Sequence, residues 1–102
     1  MKKADYQVVV IGGWCGNLLF IVADHLREII TGAGYPIDLK THSVWENYSQ
    51  PPPAQLILQL IPAYSEADVD CPIINIRRLL VDRDHEETLD KIFTQLQADF
   101  QV

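Results

Sequence analysis

Basic side chains are scarce in this chain of 102 residues, which has eight Lys and Arg against 14 Asp and Glu and a formal net charge of −6. No basic cluster could follow a phosphate backbone, so nucleic acid is a poor candidate partner. Long apolar runs are also missing, because the first one covers only residues 8–11 and is too short for a signal-peptide core or a membrane span. We therefore expect a cytoplasmic protein without direct membrane insertion.

Cysteine and histidine are few as well. The two cysteines are Cys15 and Cys71, and the three histidines are His25, His42 and His85. Since nothing indicates secretion, we expect both thiols to stay reduced. No two Cys or His residues stand at the spacing of metal ligands, so the sequence predicts neither a metal site nor another cofactor.

Apolar runs alternating with helical patterns predict an α/β fold. We expect strands at residues 6–11, 37–42, 55–61 and 73–76, and helices at 17–31 and 84–100. The strands are apolar rather than alternating, which indicates a parallel sheet covered on both faces. The prediction is a single domain over residues 1–102, with three layers and a four-stranded parallel sheet in the order 2-1-3-4 flanked by helices. Its crossovers should all be right-handed.

The ends of the two predicted helices also have signals. Gly32 and Gly34 are expected to stop the first helix, since glycine is common just beyond a helix end. Asp82 or Asp84 is expected to cap the second helix, because a short carboxylate side chain can accept from a first-turn amide.

The chemical centre is predicted in the loop GGWCGNLL, where Cys15 stands between glycines just before the first helix. Glycine amides and the helix N-terminus would stabilise a thiolate and hold a phosphate dianion. The alternative is that Cys15 only packs against the end of the sheet, as buried cysteines often do. Trp14, which is difficult to bury in such a loop, marks a candidate docking surface. The candidate phosphate-binding residues are Gly12, Gly13, Trp14, Gly16, Asn17 and Leu18.

Several other loop chemistries are excluded. A Walker loop needs a lysine, and none lies between Lys3 and Lys40. The glycine spacing does not match the dinucleotide-binding fingerprint. A tyrosine-phosphatase loop needs an arginine six residues after the cysteine, where this chain has Ile21, and a CxxC pair is absent.

The remaining conspicuous residues have structural interpretations. Cys71 precedes a proline at the start of a buried strand and is expected to pack there. His25 is expected on a polar or boundary face of the first helix. For Arg77 and Arg78 two interpretations stay open: they line the mouth of the site and attract phosphate, or they pair with surface acids.

Three segments carry a resemblance to a known family. They are IVADHLREII in the first helix, LILQLIP in the third strand, and PIINIRRLLVDRDHEETLDKIFTQL at the C-terminal end. With the order of elements, they resemble the cytoplasmic IIB components of the bacterial sugar phosphotransferase system, of the galactitol and ascorbate types, and the IIB-like domains of related regulators.

The resemblance implies a phosphoryl carrier. A IIB protein accepts a phosphoryl group on a loop cysteine, here Cys15, from a phosphohistidine of its IIA partner. It then passes the group to a sugar bound by the IIC membrane transporter. The family's usual pattern is CGxGxxTS, in which Gly12 of this chain occupies the cysteine place and Leu18 and Leu19 replace the Thr-Ser pair. The alternative function is therefore a IIB-like regulatory or interaction module without phosphoacceptor activity.

Overall fold

The structure is a computed structural model that describes residues 6–13, 17–43 and 54–100. Four strands, two α-helices and one 3-10 helix follow one another along this part of the chain. The strands are β1 (Tyr6–Gly12), β2 (Ile37–Ser43), β3 (Leu56–Gln59) and β4 (Ile73–Asn75), and the α-helices are α1 (Leu18–Gly32) and α2 (Glu86–Asp99). The 3-10 helix, Arg77–Leu80, lies between β4 and α2.

The four strands form one sheet in the order β2-β1-β3-β4, and every pair is parallel. Val8 of β1 lies opposite Leu39 of β2 on one side and Leu56 of β3 on the other. The predicted fold class and strand order are confirmed. The two inner strands are β1 and β3, and the longer one, β1, is called the central strand below. Its run of buried residues matches a strand that is covered on both faces.

One face of the sheet is covered by both α-helices. Because successive strand residues point to opposite faces, Val8 and Val10 share this face with their partners Leu56 and Leu58. The helices add a buried stripe from α1 and a shorter one from α2 to the same core. Those helical residues are Leu19, Val22, Ala23, Leu26, Ile30, Ile92 and Leu96.

The opposite face carries Val9, Ile11 and Ile57 and is covered in part by Ala63 and Tyr64. In the part of the chain that the structure describes, this third layer is irregular chain between β3 and β4 rather than a helix. The crossover from β1 to β2 and that from β3 to β4 thus run in opposite directions over opposite faces. Two such crossovers have the same hand, as the right-hand rule for parallel strands requires.

The end of α1 follows the glycine signal in the sequence. Gly34 has a φ of +98°, in the left-handed region that side chains other than glycine rarely adopt. This turn lets the amide of Tyr35 donate to the carbonyl of Ile30 at 3.3 Å and the amide of Gly34 donate to Thr31 at 3.0 Å. The chain then enters β2 directly.

The predicted cap of α2 is wrong. His85, rather than Asp82 or Asp84, is the N-cap residue, and its ring accepts a hydrogen bond from the amide of Thr88. Asp82 instead accepts from the amide of Asp84 at 3.1 Å, and Asp84 bonds His25 at 3.0 Å. Asp82 therefore bonds within the turn before the helix, which begins at Glu86, and Asp84 joins that turn to α1. Among the described residues, no helix is long and apolar enough to cross a bilayer.

Candidate functional site

The loop between β1 and α1 leaves the sheet at its carboxyl edge, beside the centre of the strand order. From β1 the chain crosses one face to reach β2, whereas the crossover from the neighbouring β3 to β4 lies over the other face. The two connections therefore diverge at the carboxyl ends of β1 and β3. In open α/β sheets, ligands bind at such a switch point.

Four of the seven predicted site residues lie in the described part of the chain and border this loop. Gly12 is buried at the end of β1, and Gly13 follows it half-buried. Asn17 is the N-cap residue of α1, and Leu18 is the first residue of the helix. Trp14, Cys15 and Gly16, which include the predicted phosphoacceptor, lie outside the described residues.

Gly12 lies in close contact with the first turn of α1. A Cβ atom at this position would lie 2.9 Å from Cδ1 and 3.3 Å from Cβ of Leu19. Leu19 is buried in the helical core, so only its terminal methyl groups have some freedom to move. The space that a side chain at position 12 would occupy is thus filled by the side chain of Leu19.

Among the described residues, the N-terminus of α1 has neither of the two groups that usually neutralise a helix start. Asn17 makes no side-chain capping bond, and no acidic residue stands in the first turn. The N-terminus of α2 has a His85 cap and two acids, Glu86 and Glu87, in its first turn. Since an uncompensated helix start favours an anion, α1 presents the better anion-binding end of the two helices.

Apolar side chains are exposed next to this helix start. Leu18, Phe20 and Ile21 are 41%, 55% and 40% exposed, respectively. The neighbouring residues Leu19 and Val22 are buried against the core. The three exposed side chains therefore form the outer face of the first turns of α1. Exposed apolar groups that cluster beside a candidate site are typical of a surface that meets another protein.

Gln59 was missed by sequence reasoning. It lies opposite Ile11 at the end of β3 and is buried. Its side-chain amide donates to the carbonyl of Tyr64 at 3.0 Å, and its side-chain oxygen accepts from the Tyr64 amide at 3.2 Å. These bonds hold the chain that turns back beside the carboxyl edge of β1. The only sequence signal was a glutamine inside an otherwise apolar run.

Cys71 lies away from this loop. It is half-buried and packs against the core on the face of Val9 and Ile57. Burial, with the negative charge of Asp70 second, raises the pKa of the Cys71 thiol. A raised pKa keeps the thiol protonated near neutral pH, so Cys71 is a poor nucleophile and a suitable internal reference for Cys15.

The structure decides two of the interpretations of charged residues. As predicted, His25 lies on a boundary face of α1, with its side chain 28% exposed. Its Nε2 atom lies 3.0 Å from a carboxylate oxygen of Asp84, a contact that the sequence did not indicate. Arg77 and Arg78 are exposed, and neither makes an ion pair with an acid in the described part of the chain. Pairing with surface acids is thus not how these arginines are used there.

Within residues 6–13, 17–43 and 54–100, no group of three or more His, Cys, Asp or Glu side chains is arranged to hold a metal ion. Comparison with protein-family models, with curated proteins and with solved structures found no match for this chain.

Proposed function

We propose that the protein is a phosphoryl carrier of the IIB type, with Cys15 as the acceptor. The observation that supports this most is the start of α1, which has neither a side-chain cap nor an acid and follows the buried end of the central strand. Amides at such a position favour both a thiolate and the phosphoryl group that it would carry. Gly12, Gly13, Trp14, Gly16, Asn17 and Leu18 are the proposed phosphate-binding residues.

In the proposed reaction, the Cys15 thiolate attacks the phosphorus atom of a phosphohistidine on a IIA protein. The S–P bond forms, the P–N bond breaks, and the imidazole leaves with the electron pair of that bond. In the second step, a sugar hydroxyl held by the IIC transporter attacks the thiophosphate and gives up its proton to a base. The O–P bond then replaces the S–P bond, and the thiolate is restored.

The decisive test is mass spectrometry of the protein after incubation with a phosphorylated IIA protein of the galactitol or ascorbate type. We expect one added phosphoryl group, lost in Cys15→Ser and retained in Cys71→Ser. The two variants are matched controls, because each removes one thiol and adds the same hydroxyl. A phosphoryl group that remains in Cys15→Ser would overturn the assignment of the acceptor.

Alkylation rates test the thiolate without a partner protein. Cys15 is expected to react with iodoacetamide faster than Cys71 near neutral pH, because the pKa of Cys71 is raised by its surroundings. Each thiol is followed by peptide mapping in the single Cys→Ser variants. Equal rates, or faster labelling of Cys71, would count against an activated Cys15.

A second candidate function is a regulatory or interaction module without phosphoacceptance. The exposed face formed by Leu18, Phe20 and Ile21 favours it, since these side chains fit a protein partner whether or not Cys15 reacts. The two functions are separated by moving the thiol to the family position, with Gly12→Cys in a Cys15→Ser background. If only this variant accepts a phosphoryl group, the natural chain has lost the reactive group and is the module.

The Gly12→Cys, Cys15→Ser variant needs a further substitution so that the new side chain fits. Its Cβ atom would be forced against Leu19, so Gly12→Cys is best combined with Leu19→Ala. Folding of each variant is checked by circular dichroism before the donor is added.

A further inference from the structure

In the described part of the chain, some lysine and arginine residues form ion pairs and others do not. Two of the six form ion pairs: Arg27 with Asp24 at 2.7 Å, and Lys40 with Asp38 at 3.7 Å. The other four stand in the segment 77–91 and make no ion pair or side-chain hydrogen bond with any described residue. These four are Arg77, Arg78, Arg83 and Lys91.

The lack of pairs is not caused by a lack of acids. The same segment contains Asp82, Asp84, Glu86, Glu87 and Asp90. In a chain with a net charge of −6, cations beside so many carboxylates would be expected to pair with some of them. Three of the four unpaired cations instead line one concave region.

That region lies at the carboxyl edge of the sheet, where β4 passes through the 3-10 helix into α2. It consists of a polar pocket of about 300 Å³ and an adjoining, more apolar pocket of about 600 Å³. Both pockets are lined by Arg77, Arg78 and His85. The polar one adds Asn75, Thr88, Glu87 and Lys91, and the other adds Leu80, Val81 and Asp82.

His85 adds a hydrogen-bond donor to the region. Its Nδ1 atom accepts from the amide of Thr88 at 3.3 Å, so the proton of the neutral ring is assigned to Nε2. Of the two carboxylates on the rim, Asp82 already accepts from the amide of Asp84. Three formal positive charges from Arg77, Arg78 and Lys91 therefore face two negative ones, with one carboxylate partly engaged.

We propose that this region, hereafter the arginine pocket, binds a small molecule that carries a phosphate monoester. Two guanidinium groups and an ammonium group suit a dianion with three oxygens better than a singly charged carboxylate. Leu80 and Val81, the latter 95% exposed, provide apolar surface for the organic part of the ester. Every described residue that lines the arginine pocket lies in the segment 75–91, so the proposal does not rest on Cys15 as a phosphoryl acceptor.

The test is a titration of the labelled protein with inorganic phosphate and with phenyl phosphate, followed by amide and arginine Nε resonances at about 0.15 M salt. Both probes are expected to bind saturably, phenyl phosphate the more tightly, with the largest shifts in residues 75–91. Arg77→Gln and Arg78→Gln should each weaken binding roughly tenfold, since each removes a charge-assisted bond.

Arg83→Gln is the matched control. Arg83 is also exposed and unpaired among the described residues, and its loss changes the net charge equally, but it lines neither pocket. Its affinity should change by less than about twofold. Equal weakening in all three variants would mean general charge attraction, and unsaturable shifts would mean no site. Either result would overturn the proposal.

Two further measurements separate the arginine pocket from the other hypotheses. The same titration in Cys15→Ser should give unchanged affinities, whatever the outcome of the phosphoryl-transfer test. Sodium butyrate in place of the phosphates should bind at least tenfold more weakly, because it lacks the second charge. A carboxylate that binds as well as phenyl phosphate would refute the assignment to a phosphate monoester.

Discussion

At the residue scale, the close packing of Gly12 against Leu19 restricts the backbone beside the candidate site. Gly12 has an ordinary backbone conformation, because Gly34 is the only described residue with positive φ. What requires glycine at position 12 is the approach of Leu19 from α1. The glycine therefore sets the distance between the central strand and the helix start, and with it the geometry of the loop that joins them.

Gly12→Ala is expected to lower the free energy of unfolding by about 1–3 kcal/mol, since the new methyl group must displace the buried Leu19. In a Leu19→Ala background, the same change should cost at least 1 kcal/mol less than it does alone, on the order of coupling between contacting residues. Urea unfolding of the four proteins in this cycle measures the coupling.

Gly32→Ala is the control for this cycle. No atom would meet the new methyl group within 4 Å, and the position is helical. Here alanine should raise the free energy of unfolding by roughly 0.5–1 kcal/mol through its higher helix propensity. If Gly12→Ala lowers the free energy of unfolding equally in the wild-type and Leu19→Ala backgrounds, the side chains at positions 12 and 19 do not interact.

Tyr6 gives a prediction about pH. Its hydroxyl donates to Asp99, and burial, followed by this bond and the carboxylate charge, raises its pKa above the ordinary value of 10.0. Below pH 10 the hydroxyl is protonated in both states, so the contribution of this bond is fully present. Above pH 10 the unfolded chain loses the proton first, which favours unfolding.

Tyr6→Phe should therefore cost about 0.5–1.5 kcal/mol at pH 7, and the difference from the wild type should shrink as the pH rises beyond 10. Urea unfolding of both proteins from pH 7 to pH 11 measures this difference. The other tyrosines are common to both proteins and cancel. If the difference in unfolding free energy between the two proteins stays constant from pH 7 to pH 11, the Tyr6 hydroxyl titrates alike in the folded and unfolded states.

At the scale of elements, the two α-helices differ in how they begin. The start of α2 has a side-chain cap and two acids, whereas the start of α1 has neither. A helix start without these groups is less stable by itself, and α1 compensates with its buried stripe against the sheet. The backbone amides at the start of α1 are therefore more open to an anion than those of α2, next to which a phosphate would be held by the side chains of the arginine pocket.

His85→Ala is expected to destabilise the protein by about 1 kcal/mol, because the amide of Thr88 loses its side-chain acceptor. His85→Ser should keep the stability near that of the wild type, since serine caps helices well. Thermal unfolding at neutral pH compares the three proteins. If alanine and serine have the same effect, the ring of His85 contributes by packing rather than by capping.

At the scale of the whole molecule, β1 is paired over more residues and is more deeply buried than the edge strand β4. The central strand β1 pairs with β2 over seven residues and with β3 over four, whereas β4 pairs with β3 over three. Val8, Val10 and Ile11 are completely buried, while Ile73 and Ile74 are only half-buried. The proposed arginine pocket lies next to the weaker edge.

Native-state hydrogen exchange should reveal this gradient. Amides of β1 and β3 should exchange only through global unfolding, and those of β4 through a smaller opening of lower free energy. Two-dimensional NMR at increasing urea concentrations distinguishes them, since global opening depends steeply on urea and local opening does not. Identical free energies for β1 and β4 would show that the sheet opens as one unit.

Much of the fold could be predicted because its signals are local. The β-branched run of β1 and the apolar stripe of α1 follow from the periods of strand and helix, and both helices lie within a few residues of their predicted bounds. The strand order was expected as well and is confirmed. Of the predicted site, Gly12 and Asn17 border the loop as the sequence indicated.

What only the tertiary structure decided depends on residues that belong to different elements. The contact of Gly12 with Leu19, the position of both helices over one face, and the three cations that share a pocket all arise when separate elements meet. His85 was missed as a cap because the nearby aspartates are better caps by residue type, but Asp82 bonds within the turn and Asp84 bonds His25 of α1. By itself, the sequence determined the elements and their order, since local periodicity is written in neighbouring residues. The structure alone decided which side chains meet, because packing brings together side chains of separate elements.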